Sequence, residues 1–192
     1  EILHPEELTL DKILVASGVS KGSLYHQFSE LNALIDEALL LDFGRGVYAD
    51  IAAITHLTNR AQSKLELAQG LRLVTQISQD PDLKHRRLRR VSLILRAQLD
   101  PVFSQKLIEI QRELSDALTQ LIRQAQDKKW MSRTFSPPAA ATLVQAYSLG
   151  RLVSQIDGEE LPPQEWNQMI NTIIEQGLMG LPVGALIDDS AD

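Results

Sequence analysis

Beyond about residue 58, proline punctuates a series of segments whose apolar residues recur at intervals of three and four, and this pattern limits the fold more than any other feature of the chain. Pro81, Pro101, SerProPro at 136–138 and LeuProPro at 161–163 all stand where a helix would open. The fixed φ and missing N–H of proline suit a first helical turn and little else in a helix. No window shows sustained alternation or a cluster of β-branched residues, so the spacing predicts an all-α chain. Helices are expected over 31–56, 58–79, 82–99, 101–131, 139–156 and 163–181. The elements before them are short: a helical remnant ending near Leu3, a helix from Thr9 to Gly18, and another over 21–28. This change in helix length divides the chain into a small module, residues 1–45, and a larger helical domain, residues 46–192.

The bulk composition removes several classes of function. The apolar fraction of 44% over 192 residues supplies a core, so the chain is not a disordered one. Without cysteine there are no disulfides, thiolate nucleophiles or cysteine metal sites, and the cytoplasm is the default location. No apolar run approaches the roughly 20 residues of a membrane span. His4, His26, His56 and His85 lie in separate segments without a ligand partner at helical spacing, so no metal site is expected. Neither a G-x-S-x-G elbow nor a phosphate loop nor a dinucleotide fingerprint occurs, and the chain reads as a non-enzyme without a cofactor. A net charge of −6 confines any nucleic-acid contact to a patch.

Such a patch is suggested by GVSKGSLYHQF, residues 18–28. Gly18 fits the left-handed residue that ends a helix, Ser20 fits the N-cap of the next, and Val19 with Leu24 has the spacing of a hydrophobic staple. Two short helices joined in this way form a helix-turn-helix. If Leu24 and Phe28 face inward, then Lys21, Gly22, Ser23, Tyr25 and His26 are left facing outward. Gly22 costs about 1 kcal/mol inside a helix and makes sense where a backbone must approach a partner. A helix start beside Lys21 suits a phosphate, and the remaining side chains offer donors for phosphates and base edges. An αα-hairpin with a polar surface explains the same residues without DNA.

Residues 9–34, ThrLeuAspLysIleLeuValAlaSerGlyValSerLysGlySerLeuTyrHisGlnPheSerGluLeuAsnAlaLeu, resemble the DNA-binding module of TetR/AcrR-family transcriptional repressors. The signature of that family reads roughly T-x-x-x-I-A-x-x-A-G-V-S-K-G-T-L-Y-x-H-F-x-S-K-x-x-L. The resemblance implies a homeodomain-like three-helix DNA-binding domain followed by a helical bundle for effector binding and dimerisation. It implies that Thr9 holds a phosphate and that Ser20, Lys21, Gly22, Ser23, Tyr25 and His26 form the recognition surface. Most of the first helix of the family module would precede Glu1. Glu30 and Leu31 stand where the family has Ser-Lys, and residues 1–48 hold eight acids against three bases. A DNA reader is usually basic, so a regulator of the same fold with weakened or lost DNA binding is the alternative.

Three further features belong to the larger domain. In LysHisArgArgLeuArgArg, residues 84–90, the helical period sets Arg86, Arg89, Arg90 and Arg96 on one side and Leu83, Leu88, Val91, Ile94 and Leu95 on the other. A solvated basic face is expected, with Glu30, Asp36 and Glu37 as partners. In the last two helices, Leu143, Tyr147, Gly150 and Val153, and then Trp166, Ile170, Ile174 and Leu178, form stripes that fit a four-helix interface between two copies of the chain. An effector pocket is expected among residues 58–157, with apolar walls and with Gln76, Tyr147 and Trp130 as candidates. The combined expectation is a homodimeric repressor that binds a double-stranded DNA operator and is released by a small-molecule effector of unknown identity, with no membrane partner.

Overall fold

A computed structural model of the chain describes residues 9–28, 30–156, 158 and 161–185. The remnant expected near Leu3 and the end of the acidic tail lie outside the described residues. Among those residues there is no strand. The α-helices are α1 (Leu10–Ser17), α2 (Lys21–Gln27), α3 (Leu31–Arg60), α4 (Lys64–Ser78), α5 (Lys84–Leu99), α6 (Pro101–Asp127), α7 (Pro137–Gly150) and α8 (Pro163–Thr172). A 3₁₀ turn precedes α5 at Pro81–Leu83, a second follows α7 at Arg151–Gln155, and a π-helical turn continues α8 over Ile173–Leu178. The chain divides into two compact units, Glu1–Arg45 and Gly46–Asp192, with the division inside α3. No helix of the described residues is long and apolar enough to cross a membrane.

Polar side chains set the helix starts. Ser63 accepts from the Glu66 amide at 3.1 Å while the Glu66 carboxylate accepts from the Gln62 amide at 2.8 Å, a reciprocal arrangement close to a capping box that fixes the α3–α4 corner. Asp100 caps α6 through Val102 and Phe103, with Pro101 in the first turn. Ser136 does the same for α7 ahead of Pro137. α6 ends at Asp127, four residues before the expected Met131. The chain there turns through Lys129 at φ 61°, and buried Gln126 ties the following loop by donating to the carbonyls of Ser132 and Phe135.

In the second unit α6 is the central element. Phe103, Leu107, Leu114, Leu118, Ile122 and Ala125 recur at three, four and seven along one buried face, which packs against α5 and α7. Each such large side chain contributes about 1.5–3 kcal/mol by leaving water. α8 packs separately against α4. The end of α3 within this unit is tied to α5 through Asp50, 3.6 Å from Arg86, and to α6 through Tyr48, whose hydroxyl donates to Glu113. That hydrogen bond and the carboxylate charge beside it hold the Tyr48 hydroxyl above its ordinary pKa.

α5 does not present the face its composition suggests. Leu88 is 45% exposed and Leu95 61%, whereas Arg87 is buried and Arg90 half-buried. The guanidinium fork explains the reversal, because planar donors can end a neighbouring helix. Arg87 donates to the carbonyls of Ser78 and Asp80 at the C-terminal end of α4, at 2.8 and 3.0 Å. Arg90 reaches Gln111 on α6 and Gln145 on α7. Burial pushes the Arg90 guanidinium below its ordinary pKa, and the charge of Asp50 pulls it back. The partner found by Arg86 is Asp50, which the sequence pattern did not single out.

Candidate functional site

The first unit builds a compact helix-turn-helix from local chemistry. The Thr9 hydroxyl caps α1 by accepting from the Lys12 amide at 3.4 Å. α1 ends at Gly18, whose φ of 67° is the left-handed conformation that only glycine adopts at no steric cost, and its amide returns to the Leu14 carbonyl at 3.0 Å. Two residues later Ser20 caps α2, accepting from the Ser23 amide at 3.1 Å, and the two serine hydroxyls lie 2.9 Å apart. Leu24 is buried and Phe28 half-buried, so α2 is held by one side. Val19 stays 44% exposed, so that half of the expected staple is not buried.

Thr9, Ser20, Lys21, Gly22, Ser23, Tyr25 and His26 are all exposed. The Lys21 ammonium stands 6.0 Å from the centre of the Tyr25 ring, so charge and aromatic donor share one patch. The two glycines differ. Gly18 is demanded by its own backbone, whereas a Cβ on Gly22 would meet nothing nearer than the Ser20 hydroxyl at 3.9 Å. The packing of the chain itself gives no reason for glycine at position 22.

The apolar stripes of the last two helices separate into two faces. On α7, Leu143 is 41% exposed and Val153, in the turn beyond, 69%, while Tyr147 is buried. On α8 and its π-helical continuation Ile170, Ile174 and Leu178 are buried within the chain. Met169 and Ile173 are exposed instead. Gly150 and Trp166 meet within one chain: a Cβ on Gly150 would lie 2.9 Å from the indole ring. The exposed apolar residues are therefore Leu143 and Val153 on one side and Met169 and Ile173 on the other, with Gly150 and Trp166 half-buried.

The polar interior of the second unit has two centres. One joins α5, α6 and α7 through Arg90, Gln111, Gln145 and Ser115. The other lies where α4 meets α7 and α8. Here the Tyr147 hydroxyl and the Thr75 hydroxyl are 3.2 Å apart, and burial keeps the Tyr147 pKa above its ordinary value against the pull of that hydrogen bond. Gln79, fully buried, donates to the carbonyls of Tyr147 and Ser148, and Arg151 donates to the Gln79 carbonyl. Arg72 on α4 holds Glu175 through two parallel bonds, one of 2.9 Å from Nη2 to Oε2.

Beside this second centre an open groove runs between α4 and α8. Gln76 lines it, whereas Tyr147 sits in the core, and Trp130 lies in the turn after α6 beneath the Lys128 ammonium at 4.4 Å. The three candidate pocket residues are thus not brought to one place. The groove extends onto residues 163–176, beyond the 58–157 span expected for a pocket, and eight carboxamides share its walls with seven apolar side chains. No group of three or more metal-ligating side chains occurs among the described residues.

No family profile matches the sequence. No curated protein matches it. Solved structures do match. GusR of Salmonella enterica is 22% identical, over 92% of this chain and 86% of that one, with a TM-score of 0.64. A protein of Mesorhizobium loti described as a TetR-family transcriptional regulator is 18% identical, over 88% and 84%, with a TM-score of 0.66. The ketosteroid transcriptional regulator KstR2 of Mycobacterium tuberculosis is 18% identical, over 91% and 86%, with a TM-score of 0.58. At these identities the likeness is one of fold, and the chain has the all-α architecture of TetR-like regulators.

Proposed function

We propose that the protein is a homodimeric, ligand-responsive transcriptional regulator of the TetR/AcrR type, acting as a repressor rather than as an enzyme. The observation that carries this reading is the exposed set Thr9, Ser20, Lys21, Gly22, Ser23, Tyr25 and His26 on a capped helix-turn-helix. Gly22 adds weight, because glycine inside a helix costs about 1 kcal/mol and nothing within the chain crowds that position. Close approach of a DNA backbone gives the glycine a purpose. α2 would enter the major groove, with Lys21 and Thr9 on phosphates and Ser23, Tyr25 and His26 toward phosphates and base edges.

Two copies would pair through the exposed stripe of α7 and α8. Two recognition helices would then meet successive major grooves, about 34–36 Å apart or somewhat more, on a pseudo-palindromic operator. An effector releases the DNA to the extent that it binds the non-matching geometry better. The likeness in fold to solved transcriptional regulators supports the same reading. The acidity of residues 1–48 implies binding that is weak and salt-sensitive.

Selection from a randomised duplex library tests the proposal. The protein should enrich a two-fold symmetric motif. Enrichment no greater than that of a control bundle would favour a regulator of this fold that has lost DNA binding.

A further inference from the structure

We infer that the outward face of α5 is a docking surface for an acidic amphipathic helix of a partner protein. At 100° per residue Leu88, Val91, Leu95 and Leu99 fall within about 80° of one another, on the side of α5 away from buried Leu93. All four are exposed, Leu99 to 78%. Val102, in the first turn of α6 and 72% exposed, adds to the stripe past the corner. α5 thus carries apolar side chains on two faces, of which the chain buries one. Monomeric proteins rarely expose a contiguous apolar patch of more than a few hundred Å² that has no partner.

Spacing selects a helix as the occupant. The four residues recur at three and four, the interval that a facing helix fills with apolar side chains of its own. From Leu88 to Leu99 the stripe runs about 16 Å, room for three turns of a partner. Charge selects its sign. Residues 81–108 hold seven bases against two acids, in a chain whose net charge is −6. The elements packed on α5 do not cancel this excess. α7 carries no charged residue, and adding Asp50 of α3 with Glu109, Arg112 and Glu113 of α6 still leaves eight bases against five acids. By the helical period Lys84 stands at the start of the stripe, and Arg89 and Arg96 follow along one edge. Arg96 lies over the Phe103 ring at 5.3 Å and Arg86 beside Asp50, so these charges are held in place by the fold.

Other occupants fit less well. Two copies paired antiparallel about a two-fold axis would set the edge carrying Arg89 and Arg96 against itself, and two paired parallel would set Lys84 against Lys84. An anionic membrane would meet the net charge of the whole chain, −6. A single helix seated on α5 meets only the charges within about 8 Å of it at physiological salt, and there the basic excess rules. The surface lies within the second unit and is independent of DNA binding.

The test is fluorescence anisotropy of the whole protein with a labelled synthetic helical peptide of about six turns, carrying Leu along one face and Glu on both flanks, and with the same peptide carrying Lys in place of Glu. Saturable binding of the Glu peptide is expected, about tenfold or more tighter than that of the Lys peptide and weaker as salt is raised. Leu95→Gln should weaken it about tenfold, the loss expected for one buried leucine. Its melting curve checks the fold, which an exposed position should leave intact. Leu73→Gln, exposed on α4, should bind as the parent does. No binding of the Glu peptide, equal binding of the Lys peptide, or a Leu95→Gln protein that binds like the parent would overturn the inference. So would adsorption to phosphatidylglycerol vesicles, or an assembly in sedimentation, that Leu95→Gln abolishes, since these outcomes would give the face to a membrane or to a second copy.

Discussion

At the scale of single residues the glycines make the sharpest distinctions. Gly18 has a positive φ, so Gly18→Ala should destabilise the first unit by about 1–2 kcal/mol although a Cβ there would touch nothing. Gly46 and Gly150 are helical, and a Cβ on either would lie 2.9 Å from a neighbouring side chain. At Gly46 the obstacle is the tip of Arg86, which can move at the expense of a half-exposed ion pair with Asp50. Gly46→Ala should therefore be neutral or stabilising, by up to about 1 kcal/mol of helix propensity. At Gly150 the obstacle is the rigid indole of Trp166, and overpacking costs about 1–3 kcal/mol, so Gly150→Ala should be net destabilising. Urea denaturation of the three variants reads all three signs. The turn at Gly18 was legible in the sequence because its signal is local. The crowding at Gly150 was not, because it depends on which face α8 turns toward α7.

At the scale of elements, helix starts are easier to read than helix faces. Thr9, Ser20 and Ser136 are caps recognisable from sequence, and each accepts the amide three residues on. Ser20→Ala should cost about 1 kcal/mol in the stability of α2, seen as earlier loss of helical signal on heating. Faces depend on partners that the pattern does not contain. α5 buries Leu93, yet Arg87 is buried as well and Arg90 half-buried, because carbonyls ending α4 and amides on α6 and α7 accept from them, while Arg86 stays exposed. α8 carries two apolar stripes one residue apart, and periodicity alone does not tell which one the chain buries for itself. The π-helical turn over Ile173–Leu178 adds to this, since it shifts the phase enough to bury Ile174 and Glu175 together. The amide-lined groove left no sequence signal either, because glutamine is an unremarkable surface residue of helices and only the packing of α8 on α4 collects so many.

At the scale of the whole molecule, the two faces of α8 predict two different failures. Ile170→Ala should destabilise the folded chain by about 2–5 kcal/mol, as emptied core positions do. Ile173→Glu or Val153→Glu should leave the stability of the single chain nearly unchanged and abolish the proposed dimer, as followed by sedimentation equilibrium in the ultracentrifuge. A dimer that survives these changes and is lost in Ile170→Ala would reverse the assignment of faces. Two units, an exposed recognition patch in one and an exposed apolar stripe in the other, are the parts that an operator-binding dimer needs.

The central claim, that α2 reads DNA, is tested most directly by fluorescence anisotropy on the enriched duplex at 50 and 200 mM salt, with the parent, Lys21→Ala and Tyr25→Ala. The account predicts binding that falls steeply with salt, a slope shallower by about one in Lys21→Ala, and loss of discrimination between the enriched and a scrambled duplex in Tyr25→Ala. Binding that ignores salt, or that is the same for all three proteins, would contradict it.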